Sequence, residues 1–395
     1  MAASASTSDF AETAATRARR FHQTVPGYQP TPLHTLTALG SQLNLEALWL
    51  KDESQRFGLN AFKGLGASYA VARLVAEHLG LDEEEDPDFA QLTTPAARGK
   101  LRDVVFASAT GGNHGRGLAW MAQMLGCRCV VYLPAGSTPS RVANLKAHDA
   151  EVTVTDVNYD DSVRLITERS HDNGWLVVQD TAWEGYKAVP RAIMQGYLTM
   201  FAETFEQLQD RMPTHVLIQL GVGSLAAALQ GYLVQRFGAE RPLVVAVEAA
   251  VAPKCCQSIE AGGDDPIVLT DSSEAVTFET VLATIACGEM SPLGWPILRD
   301  YTDYVCASPD WVGAHGVRLL SNPMGDDPFV EAGATGAVTT GLIAALCDPS
   351  VPTPAMDAVG LSPDSRVLVF LTEGATDPVA YDKAIAGGWP TPQTL

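Results

Sequence analysis

From about residue 100 onward, short apolar runs rich in β-branched residues recur, separated by stretches of helical pattern. The runs are Val104–Ala107, Cys129–Leu133, Glu151–Thr155, Trp175–Gln179, Val216–Leu220, Val244–Glu248 and Val367–Thr372. Most are apolar throughout rather than alternating, the pattern of strands covered on both faces. Between them, Gly115–Leu125 and Arg141–His148 read as helices, the second introduced by Pro139. Strands alternating with helices predict an α/β fold of parallel sheets. Such sheets bind ligands beyond the carboxyl ends of their strands, so the glycine-rich loops that follow these runs are expected to share one crevice.

The chain has the apolar content to build that core: of 395 residues, 46% are hydrophobic and 18% charged. It carries 26 Lys+Arg against 46 Asp+Glu, a net charge of −20. That balance argues against a nucleic-acid partner and against an anionic membrane surface. Val216–Gln235 has no charged residue over a spanning length, but Gly221-Val222-Gly223 divides it into a strand, a turn and a helix. Seven cysteines, an odd number with no C-x-x-C pair, predict a reducing, cytoplasmic setting without a zinc cluster or disulfide framework. Cys127 and Cys129 read as strand sulfur. No apolar stretch precedes a cleavage site near the start, and residues 1–20 read as a frayed tail. Asp82–Asp88 and Thr93–Lys100 read as a solvated loop, and Ala261–Ser273 as a surface excursion or lid.

Four segments carry chemistry. Lys63 sits in Phe62-Lys63-Gly64-Leu65-Gly66, an apolar and glycine-rich setting. Burial lowers a lysine pKa, and a deprotonated amine is what a Schiff base needs; the plain alternative is an exposed lysine at a helix start. Thr110-Gly111-Gly112-Asn113-His114 lies between a strand and a helix, where backbone N–H groups bind anions such as a carboxylate. The alternative there is an ordinary strand–helix turn. Gly221-Val222-Gly223-Ser224 has the same placement and suits a phosphate, although a lone G-x-G lacks the dinucleotide and P-loop signatures. Thr372, in Leu371-Thr372-Glu373-Gly374, offers a hydroxyl at the end of the last strand. An imine lysine, a carboxylate loop, a phosphate loop and a hydroxyl for a ring nitrogen together suit pyridoxal 5′-phosphate. No metal site is expected.

Larger blocks carry a resemblance. Lys51–Lys63, Gly112–Gly117, Asp156–Asp161, Gln179–Tyr186 and Ala286–Glu289 resemble the diaminopropionate ammonia-lyase family, within the fold type II pyridoxal-phosphate enzymes related to threonine dehydratase and cysteine synthase. The match runs from about Thr31 to Pro378. It implies a tryptophan synthase β-subunit-like fold of two parallel-sheet domains. Residues 1–72 and 200–395 would form the large cofactor-binding domain, and 73–199 the small inserted one. It implies Lys63 as the imine lysine, with Phe62 beside it. Asn113 would meet the cofactor 3-hydroxyl, Gly221, Val222, Gly223 and Ser224 the phosphate, and Thr372 the ring nitrogen. Asp180 matches the carboxylate assigned as base for the L-isomer; read alone, it could equally cap a helix. A homodimer is implied as well. Two positions depart from the family: Gly111 stands where an Asp serves the D-isomer, and Ala334 falls where the Gly-rich segment tends to be acidic.

The expected reaction is α,β-elimination on a 3-substituted L-alanine, foremost 2,3-diaminopropionate, giving pyruvate and ammonia. The substrate carboxylate would dock on Thr110, Gly111, Gly112, Asn113 and His114, in a cavity expected to be locally positive. His114 is read as packing the helix start. Cys255 or Cys256 could approach Cys287, though core thiols fit better. The competing readings are β-replacement or elimination on another 3-substituted amino acid, such as an O-substituted serine, and a non-catalytic pyridoxal-phosphate-binding homologue.

Overall fold

The computed structural model describes residues 5–81, 86–269, 278–348 and 355–389. Among the described residues, ten strands form two sheets. The larger is ordered β1 (Leu33–Thr35), β2 (Ala47–Asp52), β10 (Arg366–Leu371), β7 (His215–Gln219), β8 (Leu243–Ala249), β9 (Tyr304–Ser308). All its pairings are parallel except β1 with β2. The smaller is ordered β5 (Glu151–Val154), β4 (Arg128–Leu133), β3 (Val105–Ala109), β6 (Leu176–Val177), parallel throughout. The expected two-sheet α/β architecture is therefore present. Each predicted run overlaps a strand; Trp175–Gln179 shortens to the two residues of β6.

Three strands lie outside the predicted runs: β1, β2 and β9. Residues of β2 read poorly as a buried strand because it ends in Lys51 and Asp52. The structure buries Lys51 completely by pairing its ammonium with Glu203 at 3.0 Å and bonding it to the Thr31 carbonyl at 2.9 Å. A buried charge of this kind is tolerated only when it is paired and hydrogen-bonded.

Two sequence expectations are corrected. The N-terminal segment is not a frayed tail: Glu12–Thr24 is a helix that buries Ala15, Ala18, Phe21 and His22. The spacing of those residues forms a single apolar stripe, and the helix packs on helix Ala188–Leu208. The solvated loop is partly helical, since Thr94 caps the short helix Pro95–Lys100 and Asp86 pairs with Arg17. Asp82 to Glu85 of that loop, and Thr270 to Ser273 of the expected lid, lie outside the described residues.

The helix Lys63–Leu79 lies between helices Asn113–Leu125 and Ala188–Leu208. It approaches the first so closely that a Cβ on Gly117 would sit 2.9 Å from the Gly64 Cα. Only glycine allows that contact, and it fixes the height of the helix that begins with Lys63. No helix among the described residues is long and apolar enough to cross a membrane.

Candidate active site

A cavity of about 960 Å³ opens between the two sheets. Its walls come from the segments after six strands: Thr110–His114 after β3, Pro134–Arg141 after β4, Asp156–Tyr159 after β5, Asp180 after β6, Gly221–Ser224 after β7 and Thr372–Asp377 after β10. All are carboxyl ends, as parallel sheets require. Every sequence-selected residue is on this wall: Phe62, Lys63, Thr110, Gly111, Gly112, Asn113, His114, Asp180, Gly221, Val222, Gly223, Ser224 and Thr372.

Lys63 and Asp180 face each other in direct contact. Lys63 is the first residue of its helix and half-buried, so it is not the exposed lysine of the alternative reading. Burial alone disfavours its ammonium, but the Asp180 carboxylate outweighs burial and the pKa rises above the ordinary lysine value. The expectation of a lysine pKa lowered by burial is corrected accordingly. Burial raises the Asp180 carboxyl in the same way, yet Lys63 and then His114 bring it below the usual range. Asp180 caps no helix, since the next one starts at Ala188.

The other oxygen of Asp180 is held from behind. Its Oδ1 accepts the Tyr159 hydroxyl at 3.2 Å and the Gln179 amide at 3.3 Å. That amide also donates to the Tyr159 oxygen at 3.0 Å, and the Gln179 carbonyl accepts from the Ser108 hydroxyl at 2.9 Å and the Ala109 N–H at 3.0 Å. Tyr159 and Gln179 fall within the blocks that carry the family resemblance, but the sequence assigns them no role. Their polarity is legible; their convergence depends on the parallel order β5-β4-β3-β6, which brings the carboxyl ends of these strands to one side.

The loop after β3 is held in shape by its own hydrogen bonds. Thr110 Oγ1 accepts the Gly112 and Gly115 N–H groups at 3.0 and 3.2 Å, which leaves its hydroxyl proton to donate. Gly112 takes φ +140°, and a Cβ on Gly111 would meet nothing within 4 Å, so this side of the cavity is open. Asn113 donates to the buried Glu373 carboxylate, which Thr284 also bonds, at 3.3 Å. Burial pushes the Glu373 carboxyl up. His114 is buried, and its Nε2 meets the Val178 carbonyl at 2.7 Å, anchoring the helix start. Burial lowers its pKa, and because a carbonyl only accepts, Nε2 carries the proton that it donates there.

The loop after β7 opens helix Ser224–Phe237. Gly223 takes φ +92°, and a Cβ there would press to 2.9 Å from Leu298. The Ser224 hydroxyl donates to the Asp180 carbonyl at 2.8 Å, tying the two sheets' loops together. Phe62 is buried beside them, and its N–H donates to the Thr372 carbonyl at 3.1 Å.

The wall is not positive as expected. Lys63 and Arg141 are its cations among the described residues, against Asp156, Asp180, Glu279, Asp310, Glu373 and Asp377. Anions here would be received by helix-end N–H groups, which need no cationic side chains. Cys287 also lines the cavity, and all seven cysteines are free thiols.

Two sheets that meet at one crevice, with a lysine between two glycine-rich helix starts, define a class of enzyme. The model described as "Pyridoxal-phosphate dependent enzyme" matches residues 24–370, and the chain belongs to that family. Within it the chain stands with the diaminopropionate ammonia-lyases. The Escherichia coli K12 enzyme is 42% identical over 381 residues, 96% of this chain and 93% of the relative. The Salmonella typhimurium enzyme is 41% identical over 373 residues, covering 93% and 91%. The crystal structure of the Escherichia coli enzyme with an aminoacrylate-PLP azomethine reaction intermediate matches with a TM-score of 0.88 at 40% identity. It covers 99% of this chain and 96% of the other.

The cofactor is pyridoxal 5′-phosphate, and the cavity fits it. The turn before helix Ser224–Phe237 needs glycine at Gly223, where a Cβ would press on Leu298, and the helix's first-turn N–H groups have no intrahelical partners. Gln219 Oε1, buried on the cavity wall, has no hydrogen-bond partner among the described residues. These are the features of a wall shaped for a polar, phosphorylated ring.

Proposed function

We propose that this chain catalyses α,β-elimination of L-2,3-diaminopropionate to pyruvate and ammonia. The observation that carries the proposal is the Lys63–Asp180 pair, set between one helix-end anion site on each sheet. Lys63 would hold the cofactor covalently, Gly221–Ser224 its phosphate, Asn113 its 3-oxygen and Thr372 its ring nitrogen. When bound, pyridoxal phosphate delocalises the electron pair left by α-proton removal and so acidifies that proton.

Asp180 takes the proton. Tyr159 and Gln179 fix Oδ1, which leaves Oδ2 as the lone pair aimed at the reaction space. Its basicity is set by Lys63: any event that removes the ammonium charge raises it, because that charge is what holds the carboxyl down. The 3-amino group must leave protonated, and Lys63 and Asp180 are the groups placed to hold that proton. Thr110 and the N–H groups of Gly111, Asn113 and His114 would orient the carboxylate, with the Gly112 N–H holding Thr110 in place. Gly111 offers no carboxylate on the opposite face, which supports preference for the L-isomer.

We also infer a homodimer and a cytoplasmic setting, from the family resemblance and the free thiols. The domain division at 73–199 is supported by the smaller sheet lying within 105–177. Both boundaries fall inside helices, Lys63–Leu79 and Ala188–Leu208, that pack on each other.

An amino-acid panel scored for keto acid and ammonia tests the activity. Diaminopropionate should release two ammonia per pyruvate, because the leaving amine and the hydrolysed enamine each supply one. Absence of keto acid from every member would overturn elimination. Consumption only with an added thiol would establish β-replacement instead.

A further inference from the structure

The cavity holds two cations among its described residues, and one of them is spoken for: Lys63 is locked to Asp180. The other, Arg141, is half-buried and makes no side-chain hydrogen bond or ion pair with the described residues. It stands on the first turn of helix Pro139–Lys146, with its N–H on the Thr138 carbonyl at 3.1 Å. Its stem lies directly over the carboxylate loop, since a Cβ on Gly112 would be 3.7 Å from both Cγ and Cδ of Arg141. Three residues further along the same helix, Asn144 donates to the Thr376 carbonyl of the opposite wall at 3.0 Å, so the helix is held against the cavity mouth. Beside Arg141, the Thr138 hydroxyl oxygen is buried on the cavity wall without a partner among the described residues.

These facts meet an electrostatic requirement. A wall with six carboxylates favours a substrate bearing two amino groups and repels its carboxylate. Beside the helix-end N–H groups that receive that one anionic group, a cation adds selectivity against the acidic wall, and a guanidinium receives a carboxylate through two parallel N–H bonds. We infer that Arg141, with Thr138 beside it, forms the second half of the substrate-carboxylate site and selects amino acids over amines. This rests on the reading of the cavity as an amino-acid site. The nearest competing role for Arg141 is to balance Glu373, whose carboxyl it stabilises in the charged form.

The test compares 2,3-diaminopropionate with its carboxamide on the holoenzyme, reading the cofactor absorbance change on binding. Wild type should prefer the acid by about 10- to 100-fold, the range for a charge-assisted hydrogen bond. Arg141→Gln should shrink that preference to about threefold by weakening the acid alone, and Arg141→Lys should restore part of it. Equal weakening of both probes, or none of the acid, would overturn the assignment, as would loss of bound cofactor in Arg141→Gln. Turnover separates the two readings. If diaminopropionate binds with this preference but yields no keto acid in wild type, elimination fails while the role of Arg141 stands.

Discussion

Lys63 and Asp180 form a switchable pair: each sets the charge of the other, and neither keeps its present pKa once its partner is neutral. Asp180→Asn should therefore act twice. The α-proton exchange of a bound amino acid should fall about 10²- to 10⁴-fold, the usual share of a general base. The amine of Lys63, freed of its counterion, should react with added pyridoxal phosphate at lower pH than in wild type. Exchange into deuterated solvent and the pH profile of cofactor uptake by the apoenzyme check the two arms. Retained exchange would remove Asp180 from its role. Tyr159→Phe keeps the ring and deletes one hydrogen bond to a charged acceptor, so exchange should drop about tenfold or somewhat more, with cofactor uptake preserved.

At the scale of elements, the glycine contact between helices Asn113–Leu125 and Lys63–Leu79 places the lysine relative to the carboxylate loop. Gly117→Ala inserts a methyl where 2.9 Å separates it from the Gly64 Cα, and backbone cannot turn aside as a side chain can. Overpacking of this kind lowers stability by about 1–3 kcal/mol. The denaturant midpoint should fall, and cofactor absorbance should weaken because both helix starts shift. The elements that position this contact were largely legible, since the strands feeding the loops are continuously apolar and buried on both faces. β2 was not, because its last two residues are charged and only the distant Glu203 makes Lys51 a core residue. Lys63, Asp180 and the two anion loops announced themselves through glycine and unusual neighbours. Tyr159, Gln179, Arg141 and Glu373 did not, because ordinary polar residues become a site only when chain crossing brings them together.

The two sheets are tied across the cavity by the segment after residue 285. The Gly288 N–H donates to Asp160 Oδ2 at 3.0 Å, and Arg164 bridges Glu289 and Asp161. Burial raises the Asp160 carboxyl to about 6, opposed by the Gly288 N–H and reinforced by Glu289. The folded molecule thus keeps this proton at a pH where the unfolded chain, at 3.8, has released it. Stability should decline as pH rises from about 4 to about 6, by on the order of 1 kcal/mol per unit, and level off above. Asp160→Asn keeps an acceptor for Gly288 and removes the titration. Thermal melts across that window should show a smaller pH dependence in the variant; an identical slope would place the titration elsewhere.

The acidic mouth has a consequence for what leaves. Asp156 and Glu279 are exposed there, with Asp310 and Asp377 half-buried beside them. A keto acid has lost both amino groups and retains only its negative charge, so the mouth that admits a cation expels the product. Pyruvate should be a poor inhibitor, poorest at low ionic strength where the repulsion is least screened. Adding salt should make its inhibition stronger, the opposite of the usual effect on an anion held at a positive site.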